Sequence, residues 1–177
     1  SNASVILNGG GKITGYKYDD GNTLAASVTG NSTLTATNVD FTGDFKAKEG
    51  SKIILKGGSV TASDYYENGK KDGYTEFGAI GENSSIEADG VDIKSATLAT
   101  DGAKVTIKNS NINTVEGIWA WGKGTINLIS TDGKATYTVG EDGVEAEDGA
   151  AINVNGGKVN TSYLVANANT TITVKNA

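Results

Sequence analysis

Short runs in which apolar and polar residues alternate recur along the whole chain, and glycine or asparagine separates them. Alternation with a period of two is typical of β-strands, and no long segment shows the i, i+3, i+4, i+7 spacing of an amphipathic helix. Four of these runs, 49–60, 82–93, 101–112 and 148–159, are similar to one another. The base period is about 20 residues, which indicates a solenoid of stacked repeats.

Three apolar columns run through the repeats. The anchor column contains Leu34, Ile53, Ile86, Val105, Ile126, Ile152 and Ile172. The second column, two residues later, contains Ala36, Leu55, Ala88, Ile107, Leu128, Val154 and Val174. The third column, seven residues after the anchor, contains Phe41, Val60, Ile93, Ile112 and Val159, and it is interrupted in the fifth repeat. Val5, Leu7 and Ile13 resemble an irregular copy that precedes the first of these repeats.

A further strand is predicted upstream of each anchor, eight to six residues earlier. Its inward pairs are Ala26/Val28, Phe45/Ala47, Gly78/Ile80, Thr97/Ala99, Ile118/Ala120, Val144/Ala146 and Leu164/Ala166. Turns are predicted three residues before and four residues after each anchor, where six of seven positions are Gly or Asn. These two residue types adopt left-handed backbone conformations at low cost. Each repeat therefore holds three short strands.

The predicted fold is all-β: a single-domain right-handed parallel β-helix of about seven to eight coils. The right-handed sense is predicted from the general preference of parallel strands for right-handed crossover connections. Residues 1–3 resemble the remnant of an expression tag, so the domain covers 4–177 and is expected to be part of a longer protein. Insertions leave the repeat near 63–76 and 131–143. No 18-residue apolar run occurs, so we expect no membrane insertion by this segment.

The stretch 116-EGIWAWGKGT-125 holds both tryptophans of the chain. Because Ile118 and Ala120 occupy inward positions, Trp119 and Trp121 are predicted to point outward. Together with Ala79 and Leu98 they form a predicted apolar patch outside the first strands. The 63–76 insertion either covers this patch or flanks a binding platform for a sugar or a protein. The candidate ligand-binding residues are Trp119, Trp121, Leu98, Tyr65, Tyr66 and Tyr74.

Composition limits the available chemistry. The chain has no His, no Cys and no Arg, which excludes the common nucleophilic triads, thiolate zinc sites and bidentate arginine clamps. A net charge of −6 argues against nucleic acid as a partner. Carboxylates are the remaining acid–base groups, and Glu145, Glu147 and Asp148 form a weak candidate cation site. We expect no enzyme activity and no cofactor.

Repeats such as 142-DGVEAEDGAAINVNGGKV-159 and 101-DGAKVTIKNSNI-112 resemble the passenger domains of bacterial autotransporters and related surface adhesins. The resemblance covers nearly the whole chain from Val5 onward. It implies a right-handed β-helix at the bacterial outer-membrane surface, secreted or extracellular, that acts in cell adhesion or virulence. Its partner would be a host or bacterial cell-surface protein or glycan. The alternative is a carbohydrate-binding or carbohydrate-active protein similar to pectate lyases.

Overall fold

The computed structural model describes residues 2–17, 23–67 and 70–177, with the backbone alone at 17, 64–67 and 70–74. Every regular element in these ranges is a β-strand. The strands are β1 (Ser4–Leu7), β2 (Gly11–Thr14), β3 (Tyr16–Lys17), β4 (Thr23–Val28), β5 (Thr33–Thr42), β6 (Asp44–Lys48), β7 (Lys52–Thr61), β8 (Asp64–Glu67), β9 (Lys70–Tyr74), β10 (Glu76–Ile80), β11 (Ser85–Asp89), β12 (Asp92–Lys94), β13 (Ala96–Thr100), β14 (Lys104–Lys108), β15 (Asn111–Thr114), β16 (Ile118–Trp121), β17 (Thr125–Ile129), β18 (Thr136–Val139), β19 (Val144–Ala146), β20 (Ala151–Asn155), β21 (Lys158–Thr161), β22 (Leu164–Ala166) and β23 (Thr171–Lys175).

Two large sheets contain all of these strands except the β8–β9 hairpin. Sheet 1 has eight strands, in the order β22-β19-β16-β13-β10-β6-β4-β3. Sheet 2 has 13 strands and collects the second and third strands of the repeats. The pairing is parallel throughout both sheets, apart from the antiparallel β3–β4 pair. The structure is therefore all-β and dominated by parallel strands that pair with the preceding and following repeats.

The register of sheet 2 confirms the predicted columns. In the anchor column each residue pairs with its counterpart in the next repeat, from Val5 with Leu34 to Ile152 with Ile172. The irregular first copy is in register as well, because Leu7 pairs with Ala36 and Ile13 pairs with Phe41. Residues of these columns are buried together with the inward residues of sheet 1 in one continuous hydrophobic core. Burial against a common core is what fixes such a register.

One predicted register in sheet 1 was wrong. Phe77 and Ala79 pair with Phe45 and Ala47 and lie in the core, whereas Gly78 pairs with Lys46 on the outer face. The turn before Ile86 is one residue longer than the others, so counting back a fixed number of residues selected the wrong face. The inward column after Val28 is thus alanine in every later repeat: Ala47, Ala79, Ala99, Ala120, Ala146 and Ala166.

The fifth repeat also has a residue in the third column, although the sequence pattern predicted that the column is interrupted there. Tyr137 pairs with Ile112 on one side and with Val159 on the other, and it is 1% exposed. Extra residues between Ile129 and Tyr137 form a local loop in which the Ala135 N–H donates to Ser130 Oγ at 3.1 Å. The loop delays the third-column residue by four positions without disturbing the pairing.

The predicted turns have the expected backbone. All seven positions three residues before the anchors have positive φ, including Lys123 at 65°. Among the positions four residues after the anchors, Ser130 is the exception, because the extra loop begins there. The left-handed residues let the chain turn between short strands at the same place in each repeat.

The two ends of the structure are more open than its middle. At the first repeat a cavity of about 440 Å³ lies between the sheets and is lined by Val5, Leu7, Ile13 and Phe41. At the last repeat Leu164 and Val174, which occupy inward columns, are 50% and 46% exposed. These ends carry the outermost strands of both sheets, whose outer edges have no further strand in the described part of the chain.

Candidate functional site

The tryptophans lie on the outer face of sheet 1, as predicted. Ile118 and Ala120 belong to the main core, whereas Trp119 belongs to a separate cluster with Ala96 and Leu98. Trp119 pairs with Leu98 in the preceding repeat and with Glu145 in the following one. The apolar row outside sheet 1 is therefore Gly78–Leu98–Trp119, in which Gly78 replaces the predicted Ala79.

Most of this apolar row is buried. Trp119 is 3% exposed and Leu98 is 5% exposed, while Trp121 is partly exposed. The two indole rings stack with a centroid distance of 5.8 Å and an interplanar angle of 18°. A side chain at Gly117 would overlap the indole of Trp119, so the glycine allows this ring to lie against the backbone. Of the two rings, Trp121 is the one with surface available to a partner.

The three tyrosines of the first insertion lie on the β8–β9 hairpin. Tyr65 and Tyr66 are part of β8, and Tyr74 ends β9. Their side chains lie outside the described part of the structure. The base of the hairpin is fixed by Thr75, whose Oγ1 accepts a hydrogen bond from the Ser63 N–H at 2.9 Å.

A buried lysine occupies the same outer face of sheet 1. Lys46 is 5% exposed, its Nζ lies 3.1 Å from Asp44 Oδ1, and it also contacts the Glu76 carboxylate. The Glu76 N–H donates to Asp44 Oδ1 at 2.9 Å, which fixes the two acids around the amine. Lys46 contacts both acids, so the group is a structural ion cluster on this face with one negative charge in excess.

Two carboxylates follow the tryptophans by one repeat. Glu145 is the pairing partner of Trp119, and Glu147 lies two residues further along the same face. Burial raises the pKa of the Glu145 carboxyl above its ordinary value, and the negative charge of Glu147 and a hydrogen bond to it raise this pKa further. Glu147 Oε1 accepts a hydrogen bond from Asn167 Nδ2 at 3.1 Å. The pair is an electronegative site beside the exposed part of Trp121.

Asp148, the third residue of the predicted acidic cluster, is placed differently. It is the left-handed residue of a turn, with φ of 53°, and it lies at the corner between sheet 1 and sheet 2. Across the described residues no three acidic side chains come together in a group that could hold a metal ion. The acidic pair is therefore Glu145 and Glu147, with Asp142 as the further carboxylate whose charge acts on Glu145.

Sequence reasoning missed an exposed corner next to this pair. Val115 is 67% exposed and Tyr163 is 41% exposed, and both lie where a third strand passes to the next first strand. Glu141 and Asp142 lie between them at the equivalent corner of the intervening repeat, where the Glu141 N–H donates to the Val115 carbonyl at 2.8 Å. These corners vary in length from repeat to repeat, so no column of the sequence pattern marked them.

The chemistry available at this surface follows from its side chains. Its functional groups are indole, phenol and carboxylate, and the chain contributes no imidazole, thiol or guanidinium. No helix in the described ranges has the length and apolar character needed to cross a membrane. Comparison with protein-family models, with curated proteins and with solved structures finds no match.

Proposed function

We propose that this chain is a non-enzymatic extracellular segment of a bacterial surface adhesin of the autotransporter type, built as a right-handed parallel β-helix. The proposed β-helix fold is supported by the unbroken anchor column, which runs in parallel register from Val5 to Ile172. Short strands that return to the same column after each repeat fit a helix in which each coil hydrogen-bonds to the next. A stiff solenoid of this kind presents its faces and corners to a partner along its length.

The proposed binding role is supported by the exposed aromatic and acidic surface on the outer face of sheet 1. Trp121 keeps part of its ring exposed while Trp119 and Leu98 are packed beneath it. Partly exposed aromatic rings on a rigid scaffold are suited to contact with a protein or a sugar face. The partner we propose is a cell-surface protein or glycan of the host or of a neighbouring bacterium.

The absence of His, Cys and Arg supports a binding role over a catalytic one. A pectate-lyase-like or hydrolytic alternative would depend on Glu145 and Glu147 as its acid–base pair. That alternative is specific enough to test, because it requires turnover and not only binding. It also requires that the carboxylate of Glu145 be chemically essential.

Attachment of protein-coated fluorescent beads to cultured epithelial cells and to bacteria tests the proposal. We expect wild-type beads to attach and Trp121→Ala beads to attach much less. Thr106→Ala, a substitution on the outer face of sheet 2, is the matched control and is expected to leave attachment unchanged. Equal attachment by uncoated beads would contradict the adhesin proposal.

A glycan array combined with a reducing-sugar assay separates the two functions. Binding without release of reducing ends supports the adhesin. Release of reducing ends that disappears in Glu145→Gln would establish the carbohydrate-active alternative in its place. Glu87→Gln, an exposed carboxylate on sheet 2, serves as the control for the loss of one charge.

A further inference from the structure

A corner that combines exposed apolar side chains with carboxylates lies next to the tryptophans. We define the acidic corner as Val115, Glu141, Asp142, Glu145 and Tyr163. From its exposed apolar side chains and its unneutralised carboxylates, we propose that the acidic corner binds a basic protein segment that also carries apolar side chains. The inference deepens the proposed adhesin function, on which it rests, by assigning the chemical class of the partner.

Backbone hydrogen bonds hold the acidic corner together across three successive repeats. The Val115 carbonyl accepts from the Glu141 N–H at 2.8 Å, and the Tyr163 carbonyl accepts from the Val144 N–H at 3.0 Å. Ser162 Oγ donates to the Gly140 carbonyl at 2.7 Å, which joins the second and third of these repeats. These hydrogen bonds hold the residues of the acidic corner in a fixed order along the molecule, as one surface: Val115, then Glu141 and Asp142, then Tyr163.

The apolar part of the acidic corner consists of Val115, which lies between the inner strands β15 and β16, and Tyr163, which precedes β22 at the open end of sheet 1. Val115 is 67% exposed and Tyr163 is 41% exposed, although neither occupies an inward column. The ring of Tyr163 lies against Gly143, where any side chain would meet it, so its position is defined by packing on the backbone. Val115 and Tyr163 flank the acids, and a partner could bury both side chains at once.

All charged side chains of the acidic corner are carboxylates. Within the described ranges, the ion pairs of the lysines involve other acids, and none reaches Glu141, Asp142 or Glu145. Burial raises the pKa of the Glu145 carboxyl, and the nearby Glu147 and Asp142 raise it further. Partial burial raises the pKa of the Tyr163 phenol, and the charges of Asp142 and Glu145 raise it further. Lysine or arginine side chains of a partner would relieve this like-charge crowding.

Fluorescence anisotropy with three labelled synthetic peptides tests the pairing. The first peptide alternates lysine and leucine, the second has glutamate in place of lysine, and the third has serine in place of leucine. We expect the lysine–leucine peptide to bind and to lose affinity as salt is raised. The other two are expected to bind at least about tenfold more weakly, since each lacks one of the two chemistries.

Two double variants decide whether the acidic corner is the binding surface. Glu141→Lys with Asp142→Lys is expected to weaken the lysine–leucine peptide by about tenfold or more. The control, Glu82→Lys with Asp89→Lys, changes the net charge equally at exposed acids elsewhere and is expected to keep most of the affinity. Val115→Ser with Tyr163→Ser tests the apolar part with no change in charge.

Equal weakening by both charge variants would overturn the inference, because binding would then follow net charge alone. Undiminished binding by the corner variant, or binding of the serine peptide as tight as that of the leucine peptide, would overturn it as well. Circular dichroism of each variant establishes that it is folded. Cell attachment of beads coated with the corner variant separates the outcomes: if attachment persists without peptide binding, the adhesin proposal stands and the acidic corner is not its contact.

Discussion

Trp119 and Ala120 are neighbours on one strand and are both buried, although their side chains lie on opposite faces of sheet 1. Ala120 is in the main core at 0% exposure, and Trp119 is in the outer cluster at 3%. The strand is therefore packed on both faces, with the smaller residue inside. Space inside is limited because Ala120 is stacked between Ala99 and Ala146.

Substitutions at these two positions should differ sharply in cost. Ala120→Trp places an indole in a column of alanines, and we expect it to prevent folding, since even single added methylenes in a packed core cost about 1–3 kcal/mol. Trp119→Ala should leave a folded protein that is less stable by about 3–5 kcal/mol. Urea denaturation followed by far-ultraviolet circular dichroism measures both. A folded Ala120→Trp variant alongside an unfolded Trp119→Ala variant would contradict the assigned faces.

The turn columns give a second prediction, at Lys123. This residue has φ of 65° at a position where the other repeats have glycine or asparagine. A left-handed conformation costs a residue with a β-carbon about 1 kcal/mol. Lys123→Gly should therefore raise the free energy of unfolding by up to about 1 kcal/mol.

Thermal and urea denaturation of Lys123→Gly check this expectation. Lys104→Gly is the matched control, because Lys104 is an exposed strand residue with ordinary backbone angles. Glycine in place of a strand residue is destabilising, so the control should lose stability. If both variants lose stability to the same extent, the turn conformation at Lys123 is not as described.

The repeat pattern predicts most of the fold because each inward position is decided by burial on one shared core. A sequence column such as Ile86, Val105 and Ile126 is then a direct record of strand register. The pattern fails where the chain between two columns changes length. One extra residue before Ile86 reversed the predicted faces of Ala79, and the loop before Tyr137 concealed its column.

The candidate site was less predictable for a different physical reason. Alternation shows which way Trp119 points, but it does not show that the ring packs on Ala96, Leu98 and the backbone at Gly117 and is buried there. The acidic corner is likewise formed by turns of unequal length from three repeats, which brings Val115, Asp142 and Tyr163 to one surface. The pairing of neighbouring repeats brings these residues together, and the sequence of a single repeat does not indicate this proximity.

Tyr137 gives a third prediction, which concerns its hydroxyl. The residue is 1% exposed, and its hydroxyl has no hydrogen-bond partner among the residues that the structure describes. Burial raises the pKa of this phenol from 10.0 to about 12. A buried hydroxyl without a partner is unfavourable, so Tyr137→Phe should stabilise the protein by about 1 kcal/mol.

The pH dependence of stability provides the readout for Tyr137. Between pH 10 and about 12 the unfolded tyrosine loses its proton while the folded one retains it. The unfolded state then binds fewer protons, so the free energy of unfolding falls as pH rises through this window. Tyr137→Phe should lose this part of the alkaline slope. A variant whose slope equals that of the wild type would show that the phenol is not buried as described.

Glu145 gives the last prediction and tests the electrostatics of the acidic corner. Burial, the charge of Glu147, a hydrogen bond to it and the charge of Asp142 raise the pKa of this carboxyl in the folded state. The folded protein therefore holds this proton at pH values where the unfolded chain has released it. The associated stability is present below the unfolded pKa and is lost as pH rises through the folded pKa.

Replacing Glu145 with glutamine removes this titration while keeping the shape of the side chain. Glu145→Gln should raise the melting temperature at pH 7 relative to the wild type, and the gain should shrink when the comparison is repeated below pH 4. Glu87→Gln is the control, because Glu87 forms an ion pair with Lys52 at 2.8 Å and its loss offers no relief of like-charge repulsion. Melting curves for all three proteins at both pH values measure the effect. A gain for Glu145→Gln that is the same at both pH values would show that packing, and not the charges of Glu147 and Asp142, sets the cost of this carboxylate.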